Sequence, residues 1–90
     1  MTIALVKRIA VENGIDLSAL RIIRSGGSII IRKPDHIHNA EIACNGKFDS
    51  LATPEYWRAI DEYNAAADAL VRAIVRHPLA PDLLKKMIHR

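Results

Sequence analysis

The stretch that decides the fold is residues 21–32, which read RIIRSGGSIIIR. Two isoleucine-rich runs flank Ser25-Gly26-Gly27-Ser28, and β-branched residues favour strands while glycine supplies the positive φ angles of a tight turn. We therefore expect a hairpin of two antiparallel strands. Pro34 closes the second strand because proline has no N–H to donate to a strand ladder.

The segments outside this hairpin carry helix patterns. Apolar residues between Thr2 and Asn13 recur at helical spacing, and Gly14 is a natural stop. Thr53-Pro54-Glu55 combines an N-cap, a proline at the first helical position and a carboxylate near the positive end of the helix dipole. This signature predicts a long helix over 54–76, and a short basic amphipathic helix is expected over 81–89.

A second hairpin is expected over residues 41–49. Asn45-Gly46 lies at its centre, and this dipeptide is the strongest short-range marker of a type I′ turn. The predicted fold is therefore α+β: an N-terminal helix, three or four antiparallel strands between about 20 and 50, the long helix packed on the sheet, and a C-terminal helix. Ninety residues without an internal repeat or linker form one domain, 1–90.

Composition narrows the class of protein. Half of the residues are hydrophobic and 26% are charged, which is typical of a soluble globular chain. The single cysteine, Cys44, cannot form an internal disulfide, as expected in a reducing compartment. No apolar run approaches the ~20 residues of a membrane span, and no signal peptide is recognised. We expect a cytoplasmic protein with no membrane partner.

The charge distribution is uneven along the chain. Basic and acidic residues number seven and four in 1–48, one and five in 49–68, and five and one in 69–90, for a net charge of +3. Basic residues near both ends are suited to phosphate contacts. The candidate contacts with nucleic acid or another partner are Lys7, Arg8, Arg21, Arg24, Arg32, Lys33, Lys85, Lys86 and Arg90.

The long helix suggests self-association. Its apolar residues alternate spacings of four and three, the seam geometry of two helices packed side by side: Tyr56, Ile60, Tyr63, Ala67, Leu70 and Ile74. Trp57, Val71 and Val75 widen this stripe, which also fits packing on the chain's own core. Because a helix over 54–76 is about 34 Å long, we expect a homodimer to cover its excess apolar surface.

Residues 17–24 admit a second interpretation. The spacing of Ala10, Gly14 and Leu20 resembles a bacterial helix-turn-helix, which implies a recognition helix that presents Arg21 and Arg24 to a DNA groove. We prefer the strand, because the isoleucine runs straddle the glycine turn almost symmetrically. The order helix, strands, helix also resembles double-stranded RNA-binding domains and HicA-type toxins, but Ile29 stands where those toxins have histidine.

No motif specifies a reaction. His36 and His38 would share one face of a strand, near Asp35 and Cys44, but they match no structural zinc pattern, so neither a metal nor a cofactor is expected. Cys44 has no glycine-flanked elbow, and Gly26-Gly27 lacks the Lys-Ser or Lys-Thr of a phosphate-binding loop. We expect no enzyme activity.

These observations favour a small non-catalytic binding protein that acts on nucleic acid or a nucleoprotein complex through its basic residues, as a homodimer. The alternative is an inhibitor or adaptor from a phage or mobile element. Such a protein would block a host protein by surface occlusion, as small anti-CRISPR proteins do.

Overall fold

The structure is a computed structural model that describes residues 2–79, 81 and 87–89. It is α+β, as predicted. The helices are α1 (Thr2–Glu12), α2 (Asp35–Ala43) and α3 (Pro54–Val75), the strands are β1 (Arg21–Ser25), β2 (Ser28–Arg32) and β3 (Met87–His89), and short 3-10 turns cover Leu17–Ala19 and Phe48–Leu51.

The predicted first hairpin is confirmed. β1 and β2 are antiparallel, with Ile23 opposite Ile30 and Ser25 opposite Ser28. Gly26 at the turn has φ of +60°, a positive value that glycine adopts without a steric penalty. The alternative recognition helix over 17–24 is wrong, because only Leu17–Ala19 forms a 3-10 turn and the chain then enters β1.

The predicted second hairpin is wrong. Asp35–Ala43 forms α2, which begins after Pro34 and has the Asp35 carboxylate in its first turn, where the helix dipole favours it. Asn45 and Gly46 do adopt positive φ angles of 49° and 82°, and the Lys47 N–H donates to the Cys44 carbonyl at 2.9 Å. The tight turn therefore forms, but it connects α2 to a 3-10 turn instead of two strands.

The sheet consequently differs from the predicted three or four antiparallel strands. Its order is β1-β2-β3, and β3 lies parallel to β2 with Ile30 opposite Ile88. Because 87–89 is a strand, the predicted helix over 81–89 is wrong at that end, and positions 82–86 lie outside the described residues. β2 is the central strand, which explains why its three isoleucines are all buried.

The core lies between α1, one face of the sheet and α3. Ile22, Ile29 and Ile31 share that face of the hairpin. They form one cluster with the buried residues of the helices and the turn before β1: Val6, Ile9, Ala10, Leu20, Tyr63, Ala67, Leu70, Ala73 and Ile74. The long helix therefore shares its core with the sheet.

Both predicted helices around this core are confirmed. Thr53 caps α3, since its Oγ1 accepts a hydrogen bond from the Tyr56 N–H at 3.2 Å. Gly14, with φ of +70°, follows α1 as predicted. No described helix has the length and hydropathy needed to cross a lipid bilayer.

The predicted dimer seam on α3 requires a correction. Tyr63, Ala67, Leu70 and Ile74 are buried within the single chain, because the seam spacing coincides with the stripe that faces α1 and the sheet. They leave no side-chain surface for a second copy in this conformation. Tyr56 and Ile60 are half-buried, so only the N-terminal end of the seam is partly accessible.

Candidate nucleic-acid interface

The hairpin brings two cations directly together. Arg21 and Arg32 are cross-strand partners, so their side chains lie on the same face of the sheet, opposite the face that carries Ile22 and Ile31. Both are half-buried. Like charges at directly opposite positions destabilise a sheet, so this pair favours a nearby anion.

One carboxylate relieves part of this repulsion. The Nη1 of Arg21 donates to Oδ1 of Asp35, from the first turn of α2. The pair is not fully shielded, since 31% of the Arg21 side chain and 69% of the Asp35 side chain are exposed. The Nε of Arg21 is buried and has no acceptor among the described residues, and Arg32 has no ion pair there. The Nη donors that Asp35 does not occupy remain for a further anion, whereas the buried Nε of Arg21 is out of reach of an anion in solution.

Lys7 joins this group through a cavity of about 210 Å³, which it lines together with Arg21, Leu17, Leu20 and Ile22. Arg21 and Ile22 are the first two residues of β1, and Leu17 and Leu20 precede them, so the cavity lies at the beginning of β1, which is an outer strand of the sheet. We call this cavity the edge pocket. Lys7, Arg21 and Arg32 together are the basic surface.

The other predicted contacts do not converge on the basic surface. Arg24 is exposed on the opposite face of the sheet, and Arg8 is exposed on α1. The Lys33 Nζ donates to Oε2 of Glu41 at 3.1 Å, so its charge is already paired. Lys85, Lys86 and Arg90 lie outside the described residues.

The predicted face for His36 and His38 is wrong. Both lie on α2, where residues two apart project to nearly opposite sides of the helix. No three His, Cys, Asp or Glu side chains in the described part of the chain are grouped to hold a metal ion. The Cys44 thiol is half-buried and donates to the Glu41 carbonyl at 3.1 Å.

A groove between α2 and α3 is a site that the sequence did not indicate. Its volume is about 300 Å³, and its lining includes His36, Ile37, Glu55 and Tyr56. Trp57 packs edge-on against Tyr56, with ring centroids 5.2 Å apart, yet 56% of Trp57 is exposed. Desolvation, followed by the charge of Glu41, raises the pKa of Tyr56. In the sequence, the one signal that could have indicated this groove is Trp57, a large aromatic residue that lies beside the apolar stripe of α3.

Comparisons of the chain with protein-family models, with curated proteins and with solved structures give no significant match.

Proposed function

We propose that this chain is a small non-catalytic binding protein that contacts nucleic acid, alone or in a nucleoprotein complex, through the basic surface. The observation that carries the proposal is the cross-strand pair of Arg21 and Arg32, in which a carboxylate pairs with Arg21 and none of the described carboxylates pairs with Arg32. Guanidinium groups match the geometry of phosphate oxygens and bind them with charge-assisted hydrogen bonds. A phosphate beside this pair supplies the missing anion.

The test measures how binding depends on salt. Fluorescence anisotropy with labelled oligonucleotides gives the slope of log K against log[salt], which is about −0.9 per phosphate contact on a duplex. The variant Arg32→Gln should lower the magnitude of that slope by about 0.9. Arg58→Gln is the matched control. Arg58 is exposed on α3, so this substitution removes one positive charge at a position away from the basic surface.

Two results would contradict the proposal. One is the absence of oligonucleotide binding at low salt. The other is an equal loss of slope in Arg58→Gln and Arg32→Gln, which would make the attraction a property of net charge rather than of the basic surface.

A second candidate function is occlusion of a host protein by a phage-derived or mobile-element inhibitor or adaptor. The exposed ring of Trp57 beside the groove between α2 and α3 favours it, since exposed aromatic residues are frequent anchors of protein interfaces. This function predicts a stable complex with a defined host assembly on size-exclusion chromatography. Trp57→Ala should abolish that complex, whereas Val11→Ala, at an exposed position on α1, should preserve it.

Self-association remains part of the proposal, on a different face from the predicted seam. Val71 and Val75 line a cavity of about 270 Å³ near the end of α3, and Val75 is 55% exposed. A dimer through this face predicts a solution mass of twice the chain's 10.0 kDa by light scattering. A mass that stays at one chain over all concentrations would remove the dimer.

A further inference from the structure

We propose that the edge pocket holds one unpaired nucleotide, so that the protein prefers single-stranded nucleic acid, or an unpaired base at an end or bulge, to a continuous duplex. This inference rests on the proposed function, because it names the form of nucleic acid that the basic surface would select.

The walls of the edge pocket fit a ring system. Leu17, Leu20 and Ile22 are its apolar lining residues, and apolar side chains commonly hold the faces of an extruded base. Its volume of about 210 Å³ lies below the ~300–1,000 Å³ of cavities that bury drug-sized ligands. The pocket is therefore of a size for a single base rather than for a base pair.

The charged residues of the edge pocket fit the phosphate of the same nucleotide. Lys7 and Arg21 are the charged residues among its described lining residues, none of which is acidic. Arg21 also connects the pocket to Arg32, its cross-strand partner. A strand whose phosphates follow the basic surface therefore passes the pocket, where one of its bases can enter.

The edge of β1 supplies the remaining chemistry. β1 is an outer strand of the sheet, and no described strand pairs with its other side. An unpaired strand edge presents alternating N–H and C=O groups. The polar edge of a base carries the same two kinds of group, so a base in the pocket can form hydrogen bonds that a purely aliphatic ligand cannot. Apolar walls, cations and a backbone edge together match the faces of a base, the phosphate and the polar edge of the base.

A base of a duplex enters this pocket only at a cost in free energy, because it must first unpair and unstack. That cost is smallest for bases that are already single-stranded. The edge pocket has aliphatic walls, and burial of roughly 60 Å² of a base's apolar surface against them corresponds to about a tenfold gain in affinity. At matched salt we therefore expect a labelled single-stranded oligonucleotide to bind about tenfold more tightly than the duplex of the same sequence.

Filling the pocket tests the inference. Leu17→Trp places a large ring at a half-buried lining position, and it should reduce single-strand affinity to that of the duplex while the salt slope for the duplex is unchanged. Ile42→Trp is the control, since Ile42 is exposed on α2 and does not line the pocket. Should Leu17→Trp fail to fold, Leu17→Ala removes an apolar wall of the pocket without adding volume and should also reduce the preference.

A second measurement locates the ligand. Adding a nucleoside monophosphate should shift the methyl NMR signals of Leu17 and Ile22, and inorganic phosphate alone should leave them nearly unchanged. Equal binding of single strand and duplex, or a preference without shifts at these methyls, would overturn the inference while the proposed function stands. Failure to bind either form would instead contradict the proposed function itself.

Discussion

Asp35→Asn separates a binding role of the basic surface from a structural one. The substitution removes the carboxylate that pairs with Arg21 but preserves the size of the side chain. Its two expected effects have opposite signs: the fold loses stability, whereas affinity for nucleic acid rises. A residue that matters only for folding would lower both.

The loss of stability should be small. A solvent-exposed ion pair contributes about 0–1 kcal/mol, and a carboxylate in the first turn of a helix contributes about 0.3–1 kcal/mol. The pair of Arg21 and Asp35 is of this exposed kind, and Asp35 lies in the first turn of α2. We expect the free energy of unfolding to fall by about 1 kcal/mol, which lowers Tm by about 4–8 °C in a domain of this size.

The gain in binding follows from the freed guanidinium. If Arg21 then contacts one more phosphate, the slope of log K against log[salt] steepens by about 0.9. Between 50 and 200 mM salt, the ratio of variant to wild-type affinity should therefore fall by about 3.5-fold. Fluorescence anisotropy with one labelled oligonucleotide at four salt concentrations measures both slopes.

Asp61→Asn is the matched control for this experiment. Asp61 is exposed on α3 and forms no ion pair in the described part of the chain, so its loss changes the net charge equally. The reasoning is refuted if Asp35→Asn binds no more tightly than wild type at low salt. It is also refuted if the control steepens the slope as much.

Three further predictions concern the fold. Leu70→Ala should cost about 2–5 kcal/mol of unfolding free energy in chemical denaturation because Leu70 is buried within one chain, whereas Val11→Ala should cost far less. Thr53→Ala should cost about 1 kcal/mol through loss of the α3 cap, and Thr53→Ser should restore most of it. Burial raises the pKa of Tyr63 above its ordinary 10.0. The contribution of the neutral Tyr63 to stability is therefore complete below pH 10 and is lost as pH rises through the folded-state pKa. Tyr63→Phe should make the fall in Tm at alkaline pH less steep.

Elements whose sequence pattern lies within a short segment were predicted correctly, whereas elements that depend on distant parts of the chain were not. The first hairpin was predictable because strand residues and turn glycines lie within twelve consecutive positions, 21–32. Asn45-Gly46 forms its tight turn, but a turn signal does not determine whether strands or helices flank it. α2 has a weak apolar face, with Ile37 its one buried residue among those described. β3 pairs in parallel with a strand more than fifty residues earlier, which no local pattern encodes.

The candidate site was predictable only as a list of charges. The sequence identified Arg21, Arg32 and Lys33 as candidate contacts, but it did not show which charges are already paired. Asp35 and Glu41 provide that pairing from α2, at separations of 14 and 8 residues, and the sequence predicted strands where α2 forms. Likewise, the four-and-three spacing on α3 could not distinguish a core stripe from a dimer seam.

The acidic half of α3 predicts how the molecule orients on a polyanion. Glu55, Asp61 and Glu62 are exposed in the same part of α3 as Trp57, and like charge keeps this part of the surface away from phosphates. Trp57 is the only tryptophan of the chain, so its emission reports on that surface alone. Saturation with oligonucleotide should therefore leave the intensity and wavelength of the emission unchanged. Strong quenching at saturation would place nucleic acid against α3 and contradict the assignment of binding to the basic surface.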